Sequence, residues 1–502
     1  MTQFSSIRKY TEHFSKLIDL EREEEQKRYL KEIQSISASE REERGRCHRG
    51  LHGKNFGRGL GGTYLVKFTS NKKLPESEIY QGKLIIATYK SPNGHEALGT
   101  VIERTNFSIT VAYSNFWPPY ALGHNVRVDL FTNDVTYKRM MQALGEVKRS
   151  QSLTSLLINP DYQQKVVDFG TITFQNSNLN ESQKHAVRKC LSSERMHLIH
   201  GPPGTGKTTT LIEYIVQEAM RGMKILASAD SNTAVDNMLE KLVQYNVNAL
   251  RVGNVARMDS NLIGHSLSRK VEEHAEYVRA MEIYHAIQNL KEEQSSYTRP
   301  SNDKRRGMRN SQIIKWGQSN KGYRGVSNKT MYSMSEWIIL QEEIDQLYKM
   351  ARHYEKNSVE EVLQDCTVLC CTHSTAGSEL LEGIDFNIAA VDEGSQATEP
   401  AALISMVKAE KWILSGDHKQ LPPTVLSNEA KNLSYSLFER LIDICPEFSS
   451  LLSVQYRMNA TLMKFSNERF YDNQLVAHDS VENSDLAEIV DPKRLRFSEI
   501  MY

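Results

Sequence analysis

The stretch Gly201-Pro-Pro-Gly-Thr-Gly206-Lys207-Thr208 decides the fold of this 502-residue chain, and the apolar run Met196-His-Leu-Ile-His200 stands directly before it. Its glycines let the backbone bend until several N–H groups converge on one anion. The N-terminus of the helix that follows the loop adds partial positive charge there. An apolar strand, a glycine-rich turn and a helix, in this order, are the context that a phosphate-binding loop requires.

The loop therefore predicts a site for a nucleotide and Mg²⁺. Lys207 is expected to reach the β- and γ-phosphates, and the Thr208 hydroxyl is expected to bind the metal. The residues expected to contact the nucleotide are Gly201, Pro202, Pro203, Gly204, Thr205, Gly206, Lys207, Thr208 and Thr209.

An acidic pair supplies the second half of the predicted site. Asp392-Glu393 follows the apolar run Asn387-Ile-Ala-Ala-Val391, so both carboxylates come at the end of a strand. Asp392 is expected to hold Mg²⁺ through water, and Glu393 to polarise the attacking water. Because a phosphate loop precedes the pair, this position favours a role in nucleotide hydrolysis over that of a merely solvated strand end.

Apolar strands and helical stretches alternate from residue 179 onward. This alternation predicts an α/β domain with a mainly parallel sheet, in which the phosphate loop follows the first strand. The predicted strands are Met196–His200, Met223–Ser228, Cys366–Thr372, Asn387–Val391 and Trp412–Ser415.

Residues 257–360 interrupt the alternation with polar, helical sequence. Residues 299–330 within them carry nine basic side chains against Asp303 alone, together with Trp316 and Tyr323. Two interpretations stay open: a clamp for single-stranded nucleic acid with aromatic stacking platforms, or a solvated, mobile insertion.

Residues 4–132 show a different pattern of apolar and polar side chains. Apolar residues recur at helical spacing from Phe4 to Leu20, and residues 4–45 are predicted to be helical. From 46 to 132, short alternating segments with turn residues between them predict a small β-barrel.

The composition excludes several classes of protein but does not identify the class to which this chain belongs. The 62 basic and 62 acidic side chains cancel, with an acidic N-terminal helix and a basic insertion. No run approaches the roughly 18 apolar residues of a membrane helix, and residues 1–9 do not form a secretory signal. The six cysteines do not make a disulfide scaffold and favour a reducing compartment, cytoplasmic or, in a eukaryote, nuclear.

Four further motifs carry a resemblance to a known family. They are Leu179-Asn-Glu-Ser-Gln183, Asp392-Glu-Gly-Ser-Gln396, Leu414-Ser-Gly-Asp-His-Lys-Gln420-Leu-Pro-Pro423 and Gln455-Tyr-Arg-Met458. In combination with the phosphate loop, the set resembles superfamily 1 helicases of the 5′→3′ branch. It is similar above all to the group of the immunoglobulin μ-binding protein helicase and the nonsense-mediated-decay helicase. The resemblance runs from about residue 10 to about residue 475.

The resemblance implies a role for each matching residue. Gln183 would read the adenine edge, Tyr456 would stack on its face, and Gln420 would sense the γ-phosphate. Arg457 would be an arginine finger. The motif at Ser231-Asn232 and the later Thr372 would hold the phosphates of a single strand, although Asp230 stands where the family often has Pro. The resemblance thus implies ATP with Mg²⁺, a single-stranded DNA or RNA partner, no membrane, and a monomer.

The predicted organisation follows from these assignments: a RecA-like P-loop domain with an inserted barrel, a helical stalk and a helical insertion, plus the start of a second RecA-like domain. The predicted boundaries are 1–45 stalk, 46–132 barrel, 133–178 returning stalk, 179–256 and 361–426 first RecA-like domain, 257–360 insertion, and 427–502 partial second domain. No segment after about 475 resembles the remaining motor motifs, so a C-terminally truncated helicase is expected.

Three functions remain open on sequence alone. The first is an ATP-driven 5′→3′ translocase that unwinds DNA or RNA. The second is a nucleotide- and nucleic-acid-binding module with little turnover, because the second motor domain is incomplete. The third, an ATPase acting on protein, is disfavoured by the Gln420 and Gln455–Met458 motifs.

Overall fold

The computed structural model describes residues 4–58, 64–81, 83–89, 96–113, 116–131, 134–159, 162–253 and 258–484. The chain divides into two compact units. The first comprises residues 1–214, 228–230 and 373–502, and the second comprises 215–227 and 231–372. Among the described residues, no helix is both long enough and apolar enough to cross a membrane.

The first unit begins with a long helix and a closed barrel. The helices are α1 Ile7–Ser35 and α2 Ala38–Glu43, and the strands are β1 Cys47–Arg58, β2 Tyr64–Thr69, β3 Leu84–Thr88, β4 Leu98–Arg104, β5 Ser108–Tyr113 and β6 Gly123–Leu130. Ser6 caps α1 by accepting a hydrogen bond from Lys9 N. The antiparallel strands close in the order β1-β2-β5-β4-β3-β6, and alternate apolar side chains such as Val66 and Phe68 fill the interior.

Three α-helices, the first strand of a parallel sheet and a fourth helix follow the barrel. The elements are α3 Val135–Val147, α4 Gln151–Ile158, α5 Glu181–Ser192, β7 Met196–His200 and α6 Lys207–Ala219, the last of which continues into the second unit. Strand β8 Ile225–Ala229 begins in the second unit and ends in the first.

The second unit contains the insertion and the strands that flank it. Its elements are α7 Asn232–Gln244, β9 Ala249–Arg251, α8 Leu267–Glu272, α9 Ala275–Gln294, α10 Asn302–Arg305, α11 Asn310–Gln318, α12 Asn328–Asp365 and β10 Val368–Thr372. Its strands lie in the order β8-β10-β9, and β9 pairs with β10 in parallel.

The first unit resumes with the remaining strands of the sheet. The elements are α13 His373–Ala376, β11 Phe386–Val391, α14 Glu399–Met406, β12 Ala409–Gly416, α15 Leu437–Ile444, β13 Ser449–Leu451, β14 Val454–Gln455, α16 Ala460–Phe470, β15 Val476–Ala477 and α17 Asp479–Glu482. The first-unit order is β13-β7-β12-β11, with parallel pairing throughout. Every strand of the α/β domain predicted from sequence is present, and the predicted fold class is confirmed.

Strand β13 bears on the division into motor domains. It pairs with β7, so Ser449–Leu451 extend the sheet that carries the phosphate loop. The motif pattern predicts the start of the second RecA-like domain near Ser427. We instead propose a later boundary, after Leu452, with the small β14-β15 sheet as the first element beyond it. The motif pattern does not reveal β13, because three residues are too few to show a period.

The basic segment 299–330 has a core of its own, which argues against a merely solvated insertion. Met308 and Ile313 pack with Met331, Met334 and Ile338 of α12, and all five are buried. Trp316 lies at the edge of this core and stacks on Tyr323, with ring centroids 5.1 Å apart and an interplanar angle of 9°. One face of each ring is therefore occupied within the protein, which limits their use as open stacking platforms.

Candidate nucleotide-binding site

The phosphate loop connects β7 to α6 and begins in the first unit. Gly201 N donates to Gly416 O of β12 at 3.0 Å, which fixes the start of the loop to the sheet. Gly204 and Gly206 have φ angles of +77° and +80°, a region that side chains disfavour. Thr205 is buried, and its hydroxyl donates to Pro202 O at 2.7 Å. Lys207 Nζ donates to Gly201 O at 2.6 Å, so its ammonium lies within the curve of the loop.

Two oxygen groups suited to Mg²⁺ meet at the start of α6. The Thr208 hydroxyl donates to Asp392 Oδ2 at 2.8 Å, and Asp392 is almost fully buried. A hydroxyl and a carboxylate are ligands that Mg²⁺ prefers, usually with several waters retained. The side chains present therefore fit the metal that the resemblance implies.

Glu393 follows in a strained backbone conformation with φ of +53°. Its N–H donates to Asp392 Oδ1 at 3.0 Å, so the two acidic residues are fixed relative to each other. Burial raises the pKa of Glu393, and the neighbouring Asp392 charge adds to the effect. Burial lowers the pKa of Lys207, although Asp417 and Asp392 oppose this. Both shifts have the sign expected for groups that handle protons and charge in a desolvated site.

Asp417 holds Gln420 and connects it to the strand before the loop. Gln420 Nε2 and the Tyr471 hydroxyl each donate to Asp417 Oδ2 at 2.8 Å, and His200 Nε2 lies 3.1 Å from Oδ1. Burial alone would raise the pKa of Asp417, but the hydrogen bonds from His200, Gln420 and Tyr471 outweigh it and bring the pKa to about 2. The sequence does not predict roles for Tyr471 and His200; no local pattern marks them, because they meet Asp417 only in the folded chain.

His200, Asp417 and His418 lie close enough to hold a metal ion. Asp417 already accepts hydrogen bonds from Lys419 N as well as from His200, Gln420 and Tyr471. These bonds explain the cluster as a hydrogen-bonded connection between β7, Gln420 and the segment after α16.

The residues assigned to the adenine end lie at the start of α5. Asn180 and Gln183 form a capping box, and Gln183 Nε2 also donates to Thr205 O at 3.0 Å. Asn180 Nδ2 donates to the Tyr456 hydroxyl at 3.0 Å. The Tyr456 ring lies 4.5 Å from the ring of His478, measured between centroids. The structure thus brings Gln183 and Tyr456 together through Asn180, a residue to which the sequence assigns no role.

The segment carrying Arg457 packs directly on the loop. Tyr456 N donates to Gly204 O at 2.9 Å, and a Cβ built on Gly204 would lie 2.5 Å from Arg457 Cβ. Gln455 holds this turn, because its Oε1 accepts from both Arg457 N and Met458 N at 2.9 and 2.8 Å. Glycine at 204 is therefore required by contact as well as by φ.

The predicted nucleic-acid residues lie in the second unit. Ser231 caps α7, with its hydroxyl accepting from Ala234 N. Asn232 Oδ1 accepts from Arg251 Nη2 at 2.8 Å, and the buried Arg251 also pairs with Asp236. Thr372 ends β10, on which α7 packs. Asp230 belongs to the first unit, and burial raises the pKa of its carboxyl group.

These observations define a class of protein. A parallel sheet carries a glycine-rich loop at one strand end, with a lysine, a hydroxyl paired to a strand-end carboxylate, and a second acidic residue beside it. This is the P-loop nucleotide hydrolase arrangement.

Comparison with known families gives a more particular assignment. Residues 178–428 and 433–500 each match an AAA-domain model, and residues 12–130 match the model for the 1B domain of SMUBP-2/HCS1 helicases. The chain belongs to the superfamily 1 ATP-dependent helicases of the SMUBP-2 and nonsense-transcript-regulator group.

Its relatives come from archaea and eukaryotes. An uncharacterized ATP-dependent helicase of Methanocaldococcus jannaschii is 41% identical, over 96% of this chain and 73% of the relative. The DNA-binding protein SMUBP-2 of Mesocricetus auratus is 31% identical, over 95% and 47%. The DNA polymerase alpha-associated DNA helicase A of Schizosaccharomyces pombe is 30% identical, over 86% and 63%. The chain thus spans about half the length of the mammalian relative.

Proposed function

We propose that this chain binds and hydrolyses ATP in order to move 5′→3′ along single-stranded DNA or RNA. The observation that carries the proposal is the 2.8 Å bond between Thr208 and Asp392 at the mouth of the Lys207 loop. Membership of the helicase family supports the nucleic-acid partner.

In the proposed mechanism, each side chain at the loop has one task. The loop N–H groups and Lys207 bind the β- and γ-phosphates. Thr208 and Asp392 would hold Mg²⁺, which supplies charge stabilisation on the phosphate oxygens. Glu393 orients the attacking water and accepts its proton, a task that its raised pKa favours at neutral pH. Gln183 and Tyr456 orient the adenine.

Gln420 and Arg457 complete the proposed site from outside the loop. Gln420, held by Asp417, hydrogen-bonds the γ-phosphate side. Arg457 spreads its guanidinium across charge that develops in the transition state. In other phosphoryl-transfer enzymes such an arginine contributes about 10³–10⁵ in rate.

We further propose that Ser231, Asn232 and Thr372 contact the phosphates of the strand without reading sequence. A monomer acting away from membranes, in the cytoplasm or nucleus, completes the proposal. The six free cysteines are all buried, which supports a reducing compartment.

The test is an ATPase assay on this chain, alone and with single-stranded DNA or RNA. Stimulated turnover that disappears in Lys207→Ala supports the motor. The alternative, a binding module with little turnover, predicts nucleotide and strand binding by calorimetry without phosphate release. The ratio of stimulation by DNA to stimulation by RNA ranks the two substrates in the same experiment.

A further inference from the structure

Helix α1 holds the loop that follows Gln420. Glu21, only 7% exposed, accepts backbone hydrogen bonds from Leu426 N at 2.7 Å and Ser427 N at 2.8 Å, one with each carboxylate oxygen. Arg28, two turns later on α1, donates to Leu426 O at 2.6 Å. Three bonds therefore fasten one helix to two consecutive residues of this loop.

Burying a carboxylate is costly unless its oxygens are hydrogen-bonded. The two backbone N–H groups satisfy one oxygen each, and charge-assisted bonds of this kind are among the stronger ones in proteins. Glu21 therefore fixes the loop in one position relative to α1, and any movement of the loop must either carry α1 or break these bonds.

The C-terminal end of α1 is fixed to the barrel. Ile33 packs with Ile86 and Phe131 in a separate buried cluster. Glu32 pairs with Arg41, which pairs in turn with the fully buried Asp129 of β6. The loop contacts of α1 begin at Glu21 and its barrel contacts end at Ile33, a separation of about 18 Å at about 1.5 Å per residue. One continuous helix therefore joins the Gln420 loop to the barrel.

The loop between Gln420 and Ser427 is short and contains two prolines. It runs from Gln420, which Asp417 holds, through Pro422-Pro423 to the residues that Glu21 grips. Two prolines restrict φ and stiffen the connection. We therefore expect a shift of Gln420 toward a γ-phosphate to displace Leu426 as well.

We propose that Glu21 is a positioning residue that couples the nucleotide state sensed at Gln420, through α1, to the position of the barrel and to the affinity of the chain for single-stranded nucleic acid. The proposal rests on the proposed function, because it needs ATP at Lys207 and a strand as partner. It assigns to Glu21 no contact with either ligand.

The test uses Glu21→Gln, which keeps the size of the side chain but turns one acceptor oxygen into a donor facing an N–H. Glu23→Gln is the matched control, because Glu23 is an exposed glutamate on the same helix. Affinity for a single-stranded oligonucleotide is measured with and without a non-hydrolysable ATP analogue, together with the affinity for the analogue itself. Hydrogen exchange reports on Leu426, Ser427 and the barrel strands.

The expected result separates coupling from binding. Glu21→Gln should bind the analogue within about twofold of the unmodified chain, while the analogue-linked change in strand affinity, typically 5–150-fold where sites are coupled, should fall to about twofold or less. Exchange at Leu426 and Ser427 should accelerate, and the barrel should no longer respond to the analogue. Glu23→Gln should behave as the unmodified chain.

Arg28→Ala gives a second arm that does not disturb a buried group, since Arg28 is exposed. It removes the bond to Leu426 O and should weaken the coupling in part, even if Glu21→Gln fails to fold. An unchanged analogue effect in the folded variants overturns the role of Glu21. Failure of the unmodified chain to bind the analogue instead overturns the proposed function, so the two failures are distinguishable.

Discussion

At the scale of single residues, the site depends on polar side chains that are held by hydrogen bonds within the protein itself. Asp392 accepts from both Thr208 and the Glu393 backbone, and Asp417 accepts from Gln420 and Tyr471. Such contacts preorganise the groups that we propose to act on phosphate, and preorganisation is a large part of catalysis by electrostatics.

Glu393→Gln should leave ATP bound but stop its hydrolysis. The amide keeps the size of the side chain yet cannot accept the proton of the attacking water, and a positioned base typically contributes about 10²–10⁴ in rate. Phosphate release should fall by that factor while nucleotide affinity by calorimetry stays within a few fold. Phosphate release close to that of the unmodified chain would contradict the assignment of Glu393 as the base.

At the scale of elements, the phosphate loop and the turn at Gln455–Met458 form one packed structure. Gly204 is the contact between them: its carbonyl accepts from Tyr456 N, and its Cα faces Arg457 Cβ. The loop that we propose to bind phosphate therefore also supports the segment that carries the proposed arginine finger.

Gly204→Ala should displace Arg457 and impair turnover. The new Cβ would lie 2.5 Å from Arg457 Cβ, and a misplacement of about 1 Å in a catalytic group can cost about 10²-fold in rate. Gly222→Ala is the matched control, because Gly222 has a similar φ of +79° but no atom within 4 Å of the built Cβ. Both variants should lose about 1–2 kcal/mol of stability from backbone strain, measured by denaturant unfolding. Equal ATPase rates in the two would show that the Arg457 contact is unimportant.

The charge of the basic segment 299–330 should contribute to the binding of a single strand. Deleting residues 299–330 would uncover Met331 and Met334, so removing charge is a cleaner test than removing the segment. Lys315 and Lys321 are both exposed. Changing both to Gln should weaken single-strand binding and reduce the slope of log affinity against log salt by about 0.7 for each phosphate that the protein no longer neutralises.

The control for this experiment is the pair Lys349→Gln and Lys356→Gln, which removes the same charge from α12, outside the segment. Fluorescence titration with an oligonucleotide at several salt concentrations measures both slopes. If the two double variants give the same slope, the segment has no special part in binding.

At the scale of the whole molecule, several buried histidines make folding sensitive to acid. Burial lowers the pKa of His48, His373 and His418 to about 4 and that of His197 to about 3. In the unfolded chain these groups titrate near about 6.5. At pH values between the folded and the unfolded pKa, the histidines bind protons in the unfolded state but not in the folded state.

Stability should therefore fall as the pH drops below about 6.5, and the loss from this cause should end near pH 4 for three of the histidines and near pH 3 for His197. Each such histidine contributes about 1.4 kcal/mol per pH unit in that window. His373→Gln should reduce the slope by about one proton in urea unfolding between pH 7 and pH 5, because His373 is fully buried. His285→Gln, at an exposed position, is the control for the substitution itself. Identical slopes in both variants would contradict a neutral, buried His373.

The class of this protein could be predicted from the amino-acid sequence alone. The phosphate loop, the acidic pair and the strand pattern are local signals, since bound phosphate needs glycines, a lysine and a hydroxyl within eight consecutive residues, Gly201 to Thr208. The barrel and five strands of the sheet could be predicted for the same reason: side chains alternate or run apolar along the chain. The boundary near Ser427 stays a prediction of the motif pattern. The later boundary that we propose depends on β13, which has only three residues and no period, and which shows its membership of the sheet only by pairing with β7.

Which distant groups meet could be learned only from the folded chain. Tyr471 reaches Asp417, Asn180 reaches Tyr456, Arg457 packs on Gly204, and Glu21 holds Leu426 and Ser427. The stacking of Trp316 on Tyr323 likewise becomes visible only in the fold. Such contacts leave no local pattern, because hydrogen bonding and packing depend on distance in space, and the chain brings these residues together only when its elements fold.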